Sequence, residues 1–113
     1  MLIDDILQRA GFEKNKTYCE TLFRHPPRVN YAVYNDSWER RGSDDKNLIK
    51  EHDVTIEFYQ YKPDSEKEEK IEQTFDDMSI PFTKQERYWI QDEQLFQTIY
   101  EFSYVEKEGM KNV

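Results

Sequence analysis

Apolar residues recur along the chain at two periods. Near the start, Leu2, Ile3, Ile6, Leu7 and Ala10 fall at i, i+3/i+4 and i+7/i+8, which is a helical stripe. Asp4 and Asp5 occupy the first turn, where the helix dipole favours acids, and Gly11 offers a C-terminal cap. The spacing predicts a helix over residues 2–10. So short a helix is marginal alone and must dock its apolar face. A second stripe, Ile71, Phe75 and Met78, lies in "KPDSEKEEKIEQTFDDMS". Ser65 with Glu68 three residues on fits a capping box, and Asp64 is a rival cap.

Elsewhere the period is two. "VNYAVYN" (29–35) sets Val29, Tyr31 and Val33 against Asn30, Ala32 and Tyr34, a half-buried strand. "HDVTIEFYQY" (52–61) sets Val54, Ile56 and Phe58 against Thr55, Glu57 and Tyr59. "IPFTKQERYWI" (80–90) and "QLFQTIYEFSYVEK" (94–107) read as two more strands joined by a turn near residues 91–93. "KTYCETLF" (16–23) is weakly extended, and Pro26 and Pro27 make an extended lead-in, since proline lacks an amide donor and restricts the residue before it. Residues 38–47 read as a long loop with Gly42 at a tight turn, or as a small hairpin of their own. The predicted order is α–β–β–α–β–β. Hairpins separated by helices give an α+β fold: a mostly antiparallel sheet of about four strands with two helices packed on one face. Residues 1–113 fit one domain, with a frayed tail over 108–113.

Charge changes the picture. The net charge is −8, which argues against a general nucleic-acid binder, because phosphate binding needs a basic face. The charge is uneven. Residues 1–57 carry nine Lys/Arg and eleven Asp/Glu, a sum of −2; residues 58–113 carry seven and thirteen, a sum of −6. Five of the six arginines precede residue 58, whereas residues 64–77 hold seven acids and two lysines. The N-terminus has acids where a secretion signal would have lysines, and no apolar run reaches membrane-spanning length, so synthesis in the cytoplasm is expected.

Candidate chemistry is thin. A lone cysteine, Cys19, permits no internal disulfide. Cys19 with His25 or His52 has nucleophile and base types but no supporting motif, so a partly buried thiol and two surface imidazoles are the simpler reading. Two histidines and one cysteine lack zinc spacing. "DDKN" (44–47) lacks the glycine and terminal glutamate of a calcium loop. Paired acids such as Asp76 and Asp77 read as a solvated helix face. Three scattered glycines make no nucleotide-binding loop. The expectation is no enzyme, no catalytic residue, no cofactor and no metal.

Contact is the better-supported class. Trp38, Arg40 and Arg41 sit in the long loop, and Trp and Arg are enriched at interface hot spots. Phe96, Tyr100, Phe102 and Tyr104 form an aromatic stripe, while Leu95, Ile99 and Val105 take the opposite parity. A sheet apolar on both faces in so short a chain invites burial by a neighbour. The candidate interface residues are Trp38, Arg40, Arg41, Asp44, Asp45, Glu68, Glu72, Asp76, Tyr100 and Tyr104. Arg40 and Arg41 of one copy would face the acidic helix of the next, a heterologous contact that can close into a ring.

The stretch "PPRVNYAVYND…RGSDDKNLIKEHDVTIEFY", an acidic helix and then "IPFTKQERYWIQDEQLFQTIYEFSYVEK" resembles the tail-terminator, or tail-completion, proteins that join head and tail in long-tailed phages and prophages of Gram-positive bacteria. The likeness spans residues 26–107 and rests on overall pattern. It implies a ring, usually sixfold, on the head-proximal end of the tail tube, with the tube protein and head connector as partners. It also implies assembly in the host cytoplasm and a place in the virion, at the head–tail junction. The alternatives are a head-closure, adaptor or minor tail protein of the same module, or a non-virion protein that binds a small molecule or host factor.

Overall fold

The computed structural model describes residues 1–42 and 48–108. Among them the chain forms two helices and a six-stranded, mostly antiparallel sheet, an α+β fold. Helix α1 is Leu2–Arg9 and α2 is Ser65–Asp77. The strands are β1 (Tyr18–Glu20), β2 (Tyr31–Arg41), β3 (Leu48–Gln60), β4 (Thr83–Lys84), β5 (Tyr88–Ile90) and β6 (Leu95–Glu108). The sheet order is β1-β2-β3-β6-β4, with β5 on the same outer edge of β6. Only β1 runs parallel to its neighbour, β2.

Each helix end follows from its local sequence. Ala10 caps α1, and Gly11 follows at φ +97°, which a side chain would resist. A Cβ there would also lie 2.7 Å from the Lys67 ammonium, the movable end of a flexible side chain. At α2 the rival cap wins: the Asp64 carboxylate accepts from the Lys67 amide at 3.0 Å. That leaves Glu68 free to turn inward, and it is buried.

One face of the sheet carries the core. Ile3, Ile6 and Leu7 of α1 and Ile71 and Phe75 of α2 pack on Ala32, Tyr34, Val54, Ile56, Phe58, Tyr100 and Phe102. Tyr18 ties β1 to α1 by donating to Asp4 at 2.6 Å and accepting from Gln8 at 3.0 Å. The opposite face has a smaller cluster, Tyr31, Val33 and Leu95, flanked by Cys19, Phe23 and Tyr59.

Several expectations are corrected. The strand number is six, not about four. The weakly extended 16–23 region supplies β1. The single strand expected over 80–90 divides into β4 and β5, and between them Arg87 reaches in to Glu68 at 3.1 Å. The loop expected from Trp38 onward is strand as far as Arg41. The β2–β3 register is unbroken from Tyr31↔Tyr59 to Arg41↔Ile49. Its upper half is polar because no helix covers it, so it lacks the apolar alternation by which a strand is read. Glu108 belongs to β6; the rest of the expected frayed tail, 109–113, lies outside the described residues.

Candidate interaction surface

β2, β3 and β6 outlast the helices. β1 pairs with β2 only as far as Tyr34, and β4 pairs with β6 only at Tyr100 and Glu101. Beyond those points the three strands continue alone as an arm. A β6 of fourteen residues is roughly 46 Å long at strand rise, and it sets the 50 Å long axis of the molecule.

Cross-strand rows define the arm. On the helix-side face, the register places Trp38 opposite His52 and His52 opposite Tyr104; the next row toward the tip is Arg40, Lys50 and Glu106. Trp38 is 49% exposed. The Lys50 ammonium lies 4.3 Å from its ring centroid and the Arg40 guanidinium 5.9 Å, so the indole is flanked by cations. Arg41, on the other face, pairs with Glu51 of β3. The arm is thus a mixed-charge surface around a tryptophan, on strands rather than on the loop expected from the sequence.

Beneath Trp38 the arm is held by ionic and aromatic contacts. The buried His52 ring stacks on Tyr104 at 4.3 Å and 3°. Its Nδ1 lies 2.8 Å from Asp36 and its Nε2 3.2 Å from Glu106. Burial alone would pull the imidazole pKa down, but the hydrogen bonds and charges of Asp36 and Glu106 outweigh it and raise the value above the ordinary 6.5. Burial and the same acids push Tyr104 up to about 12. The sequence showed His52 only as a surface imidazole. Its acids lie sixteen and fifty-four residues away, and only the strand register brings them together.

The remaining expected contact residues disperse. Tyr100 is fully buried under α2, donating to Glu72 at 2.8 Å. Glu68 is buried too. It accepts from Gln60 at 2.9 Å, Thr98 at 2.7 Å and Arg87 at 3.1 Å, with Lys84 at 3.2 Å. Burial would raise its pKa; these donors reverse that and hold it at about 2. Glu68 and Tyr100 therefore leave the candidate surface and belong to a clamp joining α2, β3, β4 and β6. Glu72 is half-buried in the same clamp, 2.7 Å from Lys84. Asp76 is exposed on α2, and Tyr104 is half-buried in the arm. Asp44 and Asp45 lie outside the described residues.

The apolar residues of opposite parity on β6 also need no neighbour throughout. Leu95 is buried and Ile99 half-buried, and only Val105 stands out at 55%. At the other end of the molecule Leu22, Val29, Tyr61, Tyr88 and Trp89 are exposed, a set the sequence reading had assigned to lead-ins and strands. Short strands with consecutive aromatics, as in "RYWI", were the available signal.

An open groove of about 540 Å³ lies beside β6, lined by Asp53, Phe82, Glu101 and Ser103 among others. Its lining does not converge on a nucleophile or base; Ser103 simply donates to Asp53 at 2.6 Å. Among the described residues no group of three or more His, Cys, Asp and Glu is placed to hold a metal, and no helix is long and apolar enough to cross a membrane. No protein-family model and no curated protein matches the chain.

Proposed function

We propose that this chain is a structural subunit of a long-tailed phage or prophage, a tail terminator that forms a ring, caps the tail tube and joins it to the head. The observation that carries the reading is the arm. It extends the sheet past its own helices and displays Trp38 half exposed at its side, flanked by the cations of Lys50 and Arg40. A side chain of that size adds little to the fold from such a position, and it suits a contact made with another subunit.

The charge layout supports the same reading. The outer face of α2 retains Glu66, Glu69, Asp76 and Asp77 in exposed positions. In a head-to-tail ring the arm of one subunit lies along the next, with the face that carries Trp38 and Arg40 toward that helix, Arg41 on the opposite face, and Trp38 supplying the burial. Exposed ion pairs are worth roughly 0–1 kcal/mol each, so they set register rather than affinity. An acidic ring also suits passage of DNA without adhesion.

Tubes polymerised from the tail-tube protein of the same phage, mixed with this chain and imaged, test the proposal. Caps on one end of each tube support it. Binding to the head connector with bare tubes would instead assign a head-side adaptor. A stable monomer that binds neither would end the virion reading.

A further inference from the structure

The face of the sheet turned away from the helices carries a small aromatic pocket. The register sets Tyr31, Tyr59 and Gln97 in one row across that face and Val33, Glu57 and Ile99 in the next. The lead-in to β2 comes back against the first row. Its Phe23 meets Tyr31 edge-on, with ring centroids 5.4 Å apart at 89°, and Tyr31 stacks on Tyr59 at 5.2 Å and 24°. The result is a hollow of about 180 Å³, walled by Phe23, Pro26, Tyr31, Val33 and Tyr59, with the exposed Glu93 beside them. Hydrogen bonds fix the wall. The Tyr61 hydroxyl donates to the Pro27 carbonyl at 2.7 Å, its amide to the Asn30 side chain at 2.8 Å, and the Thr21 amide to the Tyr34 carbonyl at 2.8 Å. The pocket is therefore in place before any ligand arrives, which lowers the cost of binding.

We propose that this pocket binds an arginine side chain presented by a partner protein. Charge selects a cation. Glu57 is half-buried and accepts only from neutral donors, Tyr59 at 3.3 Å, Gln97 at 3.1 Å and Asn35 at 3.4 Å. Among the described residues neither Glu57 nor Glu93 has an ion pair. Burial and the charge of Glu93 raise the pKa of Glu57 above the ordinary 4.5, against the pull of the Tyr59 hydrogen bond. Size selects a side-chain head group, since pockets for drug-sized ligands run to roughly 300–1,000 Å³. Shape selects arginine. A planar guanidinium stacks on a ring and forks to a carboxylate, whereas a lysine ammonium is compact and strongly hydrated. The chain does not fill the pocket itself: Arg24 and Arg28 of the lead-in are exposed, and neither pairs with these acids.

Acidity alone does not make the site. Glu66, Glu69, Asp76 and Asp77 on α2 also attract cations, but they stand exposed to water. The pocket adds ring faces and partial exclusion of water, which strengthen an attraction to charge. The two helices pack on the other side of the sheet, so this face is open to a partner. The inference does not rest on the terminator reading, and it uses a different part of the molecule from the arm.

The test is an NMR titration of the isotope-labelled chain with N-acetylarginine methylamide and with its citrulline counterpart, which keeps the shape and loses the charge. The arginine probe shifts the signals of Phe23, Tyr31, Tyr59 and Glu93 saturably and binds at least about tenfold tighter than the citrulline probe. Glu93→Gln removes the exposed carboxylate and Phe23→Leu keeps apolar bulk without a ring; each weakens arginine binding about threefold or more, while signals from the helices stay as in the parent. Equal affinity for the two probes, shifts confined to the acids of α2, or no saturable shift would overturn the inference. So would folded Glu93→Gln and Phe23→Leu chains that bind arginine as the parent does. A chain that takes arginine in this pocket and caps no tubes would leave the pocket standing and remove the terminator reading.

Discussion

The body and the arm share the same three long strands and are stabilised in different ways. In the body, β2, β3 and β6 lie under two helices, and each buried polar group has partners. In the arm those strands have no helix over them, and what holds them is the β ladder, the His52 network and the cations around Trp38. The body hides what it contains. The arm spends strand length on surface that a lone subunit does not need. The difference shows where the proposed function would lie: on the reading above, an element kept without a core of its own serves a contact outside the chain.

The largest expected effect sharpens the body side of that comparison. Glu68→Ala leaves Arg87, Lys84, Gln60 and Thr98 without their shared acceptor, and should cost about 3–5 kcal/mol in denaturant unfolding. A loss under about 1 kcal/mol would mean that the clamp is incidental.

The same carboxylate should make the body acid-sensitive. Its folded pKa of about 2 lies below the ordinary 4.5, so its contribution is present above pH 4.5 and is lost as pH falls toward 2. The shift corresponds to roughly 3 kcal/mol, and unfolding curves collected between those values for the parent and Glu68→Gln should converge at the acid end.

The arm should respond in the opposite direction. The pKa of His52 is raised above 6.5, so its contribution is present below pH 6.5 and is lost as pH rises through the folded value. Around the ring stand Asp36 of β2 and Glu106 and Tyr104 of β6. Amide exchange in the arm should therefore accelerate with pH beyond the intrinsic trend, and exchange in the body should not. Equal acceleration in both would erase the distinction between them.

The smallest stability effect belongs to the residue on which the proposed contact chiefly rests. Trp38→Ala should change unfolding free energy by under about 1 kcal/mol, since the indole is half exposed and is flanked by two cationic side chains. A loss of several kcal/mol would make Trp38 a folding residue and remove it from the surface.

The sequence conveyed the body better than the arm, for a physical reason. Helices and half-buried strands advertise themselves by apolar period, and Ile3, Ile6 and Leu7 or Val54, Ile56 and Phe58 were readable on that basis. A strand with no covered face has no such period, so β2 beyond residue 35 resembled a loop. Acids were misread for a related reason. In "SEKEEKIEQTFDD" nothing local separates Glu68, which turns inward, from Glu66 and Glu69, which do not. The choice is made by Arg87 and Lys84, which arrive from the far side of α2. Tyr100 was readable as core or contact, and the helix decided for core. Trp38, expected on a loop, lies on a strand.

The most direct measurement is electron microscopy of tail tubes incubated with the parent chain or with Trp38→Ala, with the folded state of both verified beforehand. The account predicts rings on one end of the tubes with the parent and bare ends with the variant. Equal capping by a folded Trp38→Ala chain would contradict the claim that the arm exists to be contacted.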